Sequence, residues 1–129
     1  MSTPDGPEEG ATYRRRRTFT VEDVRSFGEL SGDRQPIHTE PDEEGRLIAQ
    51  GLLTATLPTQ IGGDLEVLAR SFSLEFERPV YTGEEITCVW RTETVIESAD
   101  RFELTADVRC ENEAGECVLS GAVEGVVHK

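Results

Sequence analysis

The apolar residues of this chain change their period once, just after residue 61, and that change limits the folds open to it. Residues 49–61 are mainly apolar or small, including Leu52, Leu53, Ala55, Leu57 and Ile61, and Gly62 and Gly63 follow as a stop signal. The stretch reads as a buried central helix, with Pro58 a point of kinking or shortening inside it. Beyond the glycines the apolar positions alternate. Leu68, Arg70, Phe72, Leu74 and Phe76 mark one strand, and Ile86, Cys88, Trp90, Thr92, Thr94 and Ile96 a second. Phe102, Leu104, Ala106, Val108 and Cys110 give the clearest alternation, and a last strand covers residues 117–127. Turns are expected at 79–83 and 112–115. Long strands joined by short turns form an antiparallel meander with one apolar face, and that face needs a cover. The apolar helix before them is the adequate candidate, so the expected fold class is α+β, a sheet curled around one central helix.

The N-terminal third is more polar. Residues 1–10 are rich in Pro, Gly, Ser and Glu without apolar periodicity and are expected to form a flexible tail, with a single domain over 11–129. Residues 13–19 contain Arg14, Arg15, Arg16 and Arg17, whose side chains alternate between the two faces of a strand, which reads as a solvated edge. Thr20 followed by Asp23 resembles a capping box, and Val21, Val24, Phe27, Gly28 and Leu30 recur with helical spacing, so a helix is expected over 21–30. Gly32 suits the left-handed position that ends such a helix, with Asp33 immediately beyond it. A polar loop then leads to Ile48.

A chain of 129 residues suits one domain that buries a core without metal or disulfide staples. Its three cysteines, Cys88, Cys110 and Cys117, are odd in number and lack ligand spacing, so neither a disulfide framework nor a zinc site is indicated. A formal charge of -13 repels nucleic acid and anionic lipid, which weighs against both as partners. Lys129 is the single lysine beside twelve arginines. An acidic surface of this kind reads either as a device for solubility or as adaptation to high salt. The N-terminus carries no apolar leader and no stretch approaches membrane-spanning length, so a soluble cytoplasmic protein is expected.

Candidate chemistry is concentrated in Ser31-Gly32-Asp33-Arg34-Gln35-Pro36-Ile37-His38, which places a carboxylate and one of the two histidines on either side of a proline. Such a pair can hold one water between a proton acceptor and a proton donor, as the addition of water to a polarised double bond requires. Pro36 fixes its own φ and favours an extended Gln35, so the groups are presented by a stiff segment. Taken singly, an aspartate after a helix-ending glycine is ordinarily a turn residue and a loop histidine ordinarily a solvated one. His128 reads as surface.

The run from Leu30 to His38, followed by Ile48-Ala49-Gln50-Gly51-Leu52-Leu53, resembles the motif of MaoC-like (R)-specific enoyl-CoA hydratases. Leu74-Glu75-Phe76 and Pro79-Val80-Tyr81-Thr82-Gly83-Glu84-Glu85 extend the likeness. The resemblance implies a hot-dog fold, a curved antiparallel sheet wrapped around a central helix. It also implies an acyl-CoA thioester substrate, a homodimer and no metal or redox cofactor. Carried over, Asp33 takes a proton from water, His38 orients that water and relays a proton to the α-carbon, and the backbone N–H of Gly51 receives the developing enolate oxygen. Gln35 stands where that pattern has asparagine, Gln50 where a histidine often precedes the glycine, and the segment between His38 and Gly51 is short and acidic over 40–44. The same fold also serves acyl-CoA thioesterases and non-catalytic acyl-CoA-binding subunits. The arginines 14–17, Arg46, Arg70 and Arg78 are candidate partners for the phosphates of CoA.

Overall fold

A computed structural model describes residues 6–129. Five strands, β1 (Thr12–Thr18), β2 (Leu68–Phe76), β3 (Glu85–Glu97), β4 (Arg101–Glu111) and β5 (Cys117–His128), form one antiparallel sheet in the order β1-β3-β4-β5-β2. The expected meander is β3-β4-β5. The arginine strand β1 is one edge, as expected, and β2 is the other, so residues 79–83 do not close a hairpin. They carry the chain from the β2 edge back to β3, and the segment is held in passing by Ala49 N–H to Val80 O (2.8 Å) and Thr82 N–H to Leu47 O (2.9 Å). Gly121 of β5 allows β2 to come close, because a Cβ there would lie 2.2 Å from the Ser73 carbonyl oxygen.

Four helical pieces accompany the sheet: α1 (Val21–Ser31), α2 (Pro36–Thr39), α3 (Gly51–Thr54) and α4 (Thr56–Asp64). The capping box of α1 forms in full, with Thr20 Oγ1 accepting from Asp23 N–H and Asp23 Oδ2 from Thr20 N–H. Gly32 ends α1 in the left-handed region at φ 81°. The expected helix over 49–61 needs correction at both ends and in the middle. It starts at Gly51, breaks at Ala55, and runs through Gly62 and Gly63 to Asp64. The break puts Pro58 in the first turn of a fresh helical piece, where no i→i−4 donor is required. Gly62 does not terminate the helix and lies under the Trp90 ring, which would be 3.4 Å from a Cβ there, an ordinary contact distance. Glu66, at φ 61°, makes the turn into β2 instead.

The core lies between the concave side of the sheet and this helix: Leu53, Leu57 and Ile61 meet Ile86, Cys88, Trp90, Leu104, Ala106 and Val108. All five alternating residues of β4 are buried. In β3 the expected face holds only from Ile86 to Thr92, because the register shifts between Thr92 and Thr94 and leaves Ile96 65% exposed. An irregularity of this kind turns the following residues to the other face. Residues 1–5 of the expected tail lie outside the described residues. Residues 6–10 are laid against the sheet, with Gly10 N–H bonded to Thr92 O (2.7 Å) and Glu9 Oε2 accepting from Val95 N–H (2.9 Å). No helix among the described residues is long and apolar enough to cross a membrane.

Candidate active site

Pro36 begins α2, and Gln35 before it is extended (φ −63°, ψ 157°), as a residue preceding proline should be. The polar loop expected here therefore contains a single helical turn, fixed by His38 N–H to Gln35 O (2.8 Å) and Glu40 N–H to Pro36 O (2.8 Å). That turn drives the His38 ring inward until it is 5% exposed. Its Nδ1 lies 2.5 Å from the Ile48 carbonyl oxygen. A carbonyl only accepts, so Nδ1 carries a proton, and the neutral tautomer compatible with this contact is the one with its lone pair on Nε2.

Nε2 faces Asp33 Oδ2 at 3.5 Å. Gln35 Nε2 donates to Asp33 Oδ1 (3.0 Å) and steadies the carboxylate, while the Asp33 backbone is held by its N–H donating to Ser31 Oγ (3.1 Å). The Asp33 side chain keeps 40% of its exposure while the histidine is nearly enclosed. The pair thus joins a solvent-accessible carboxylate to a fixed, buried imidazole.

Both groups line a cavity of about 560 Å³. Other walls come from Phe27 of α1, from Ile48 to Leu52 and Thr54 at the start of the central helix, and from the stretch Phe76 to Val80 that leaves β2. Gly51 is the first residue of α3 and lines the same cavity. The first N–H groups of a helix have no intrahelical acceptor, and none among the described residues is bonded to the N–H of Gly51. A Cβ at Gly51 would meet the Phe76 ring at 2.5 Å, so any larger residue here would have to displace that ring. The structure therefore brings Asp33, His38 and Gly51 to one cavity.

Of the candidate arginines, Arg78 alone lines the cavity, anchored by Nη1 to Cys117 O (2.8 Å). Arg46 stacks over Tyr81 at 4.1 Å and is bonded to Asp42. Arg70 pairs with Glu103, Arg15 with Asp64, and Arg17 with Asp23. Hydrogen bonding to Asp42 raises the Arg46 pKa, and the backbone N–H of Arg46 leads the causes that hold Asp42 below the usual carboxylate range. Two side chains that the sequence did not single out as site-forming take part. Gln35 steadies the aspartate, and Gln50, 2% exposed, bridges to α1 and to the Asp33 loop.

Residues 3–114 match the model of the MaoC like domain. The chain belongs to the MaoC-like domain family. This MaoC-like chain is 27% identical over 117 residues to the mitochondrial 3-hydroxyacyl-[acyl-carrier-protein] dehydratase of Arabidopsis thaliana, covering 85% of this chain and 70% of that protein. It is 35% identical over 86 residues to 3-hydroxyacyl-thioester dehydratase Y of Mycobacterium tuberculosis, covering 57% of this chain and 30% of that protein. Among solved structures, the (R)-hydratase from A. caviae involved in PHA biosynthesis superposes with a TM-score of 0.81 at 26% identity, covering 94% of this chain and 96% of that one. The hot-dog fold implied by the motif is the fold of this MaoC-like chain.

Proposed function

We propose that this protein is a hydro-lyase that reversibly hydrates a trans-2-enoyl-CoA to the (R)-3-hydroxyacyl-CoA. The observation that carries the reading is the Asp33 Oδ2 and His38 Nε2 pair, 3.5 Å apart on the wall of a cavity with apolar residues opposite. A carboxylate and a neutral imidazole nitrogen are both acceptors, so a water lying on them points both hydrogens at the pair and its oxygen at the cavity. Asp33 takes one proton as the water oxygen bonds to the β-carbon of the enoyl thioester. That proton returns through His38 Nε2 to the α-carbon, so the pair ends as it began. Negative charge passing through the thioester oxygen is met by the Gly51 N–H, where the helix dipole adds its own stabilisation. Arg78, at the same cavity, is our choice among the arginines for contact with the CoA portion.

The working assembly we assign is a homodimer. β1 and β2 are the edges of the sheet, and Leu52 and Phe76, beside the cavity, are 60% and 54% exposed. Unprotected edges and apolar surface of this kind call for a partner. The buried, unpaired cysteines suit a reducing compartment, and we place the protein in the cytoplasm.

The test is hydration of crotonyl-CoA, followed by loss of enoyl absorbance, in the wild type, Asp33→Asn and His38→Ala. Each substitution is expected to lower turnover by about 10²–10⁴-fold while the folded state persists. Unchanged turnover in both variants would remove the mechanism. Release of free thiol without consumption of the double bond would assign a thioesterase instead, and binding without turnover would assign a non-catalytic subunit.

A further inference from the structure

Gln50 immediately precedes Gly51, and its carboxamide is spent on the other side of the site. Nε2 lies 3.0 Å from the Val24 carbonyl oxygen in α1 and 3.4 Å from the Asp33 carbonyl oxygen. Two carbonyl partners fix the orientation of the amide, because the reversed group would set oxygen against oxygen. The consequence is that Oε1 is buried without a partner, the one such side-chain atom among the described residues. An orphaned buried acceptor costs stability and needs a reason. Leucine or methionine could fill this volume without that cost, but neither could donate to the Asp33 backbone.

We propose that Gln50 is a positioning residue that ties the Asp33 loop to the Gly51 end of the site. It thereby sets the distance between the group that handles the proton and the group that receives the oxyanion. The inference rests on the hydro-lyase reading for its kinetic consequence, although the tie itself is a matter of structure. Gly28 belongs to the same junction. A Cβ there would lie 3.2 Å from the Asp33 carbonyl oxygen and 3.4 Å from Gln50 Nε2, so the glycine lets the loop and the glutamine meet against α1. An α-helix interior otherwise prefers alanine at such a position.

The experiment uses the full chain and two substitutions. Gln50→Met removes both donors at similar volume, and Gly28→Ala crowds the junction while keeping them. For each, crotonyl-CoA hydration is resolved into kcat and KM, and amide hydrogen exchange is followed over residues 31–35. Displacing a catalytic group by about an ångström can cost on the order of 100-fold in rate. Gln50→Met is therefore expected to lose about tenfold or more in kcat with KM little changed, and to exchange faster over 31–35. Gly28→Ala, favoured by helix propensity, is expected to keep its Tm yet lose several-fold in kcat. Gln50→His, which restores one N–H donor, is expected to recover part of the loss. A Gln50→Met protein with wild-type kcat, or with wild-type exchange over 31–35, overturns the proposal. If the wild type hydrates no enoyl thioester, the hydro-lyase reading falls, and the exchange comparison still decides whether Gln50 holds the loop. Should Gln50→Met not fold, Gly28→Ala and Gln50→His carry the comparison, and wild-type kcat and exchange in both overturn it.

Discussion

Gln35 is exposed, yet its carboxamide holds Asp33 Oδ1 and leaves Oδ2 for His38. Hydrogen bonds to charged groups contribute about 1.5–3 kcal/mol, less where water competes. Gln35→Ala is accordingly expected to lower hydration of crotonyl-CoA by about tenfold while leaving Tm unchanged, and a steady-state assay beside a thermal melt checks both. The Asp33 and His38 pair was legible in the sequence because proline-stiffened spacing and chemical type survive without a structure. The partners that define the pair were not. The Ile48 carbonyl that fixes the His38 tautomer is a backbone atom, which no residue type announces, and Gln35 was visible only as a departure from an expected asparagine. A second residue-scale expectation concerns Cys88 and Cys110, which face each other across β3 and β4 and are fully buried. A hydrogen bond with Cys88, followed by burial, pushes the Cys110 thiol far up. Thiolate is the reactive form, so a chromogenic disulfide at pH 8 is expected to find both silent in the native protein and reactive once denaturant is added.

At the scale of elements, short-range chemistry was readable where the partners are neighbours. The Thr20 and Asp23 cap forms as the sequence indicated, and Thr20→Ala is expected to cost about 1 kcal/mol in denaturant unfolding. The Thr20 N–H, more than Arg17, holds Asp23 below the usual carboxylate range. A carboxyl whose pKa is lower folded than unfolded stabilises above about pH 4 and loses that contribution as pH falls through the lowered value. Asp23→Asn is expected to flatten this part of the acid limb of the stability profile, by a small amount because the group is near water. The broken central helix was less legible. Gly62 and Gly63 carry the usual composition of a stop, but the helix runs through both to Asp64, where burial of Leu57 and Ile61 against the sheet, a long-range fact, overrides local propensity. The α2 turn escaped notice because four residues are too few to show a period. The shift in β3 likewise reversed Thr94 and Ile96 without a glycine or proline to mark it.

The whole molecule carries a charge of -13, and among the described residues seven arginines pair with carboxylates. The remaining acidic excess repels itself, and the repulsion weakens as salt shortens the screening length from about 10 Å at 0.1 M to about 3 Å at 1 M. Tm is expected to rise between those concentrations. Equal stability at both would mean that the acidic surface serves solubility alone. Sheet order was the least legible property at this scale, since alternation identifies strands but not neighbours, and nothing in residues 68–76 says that their partner is the last strand. That pairing has a consequence in time. The Phe76 to Val80 wall of the cavity is carried by β2, whose ladder partner β5 begins at Cys117. A ribosome therefore delivers Asp33 and His38 early, while the surface that would hold a substrate against them waits for the final strand to emerge and dock. The nascent chain thus carries Asp33 and His38 through most of its synthesis before the Phe76 to Val80 wall has the strand it docks on.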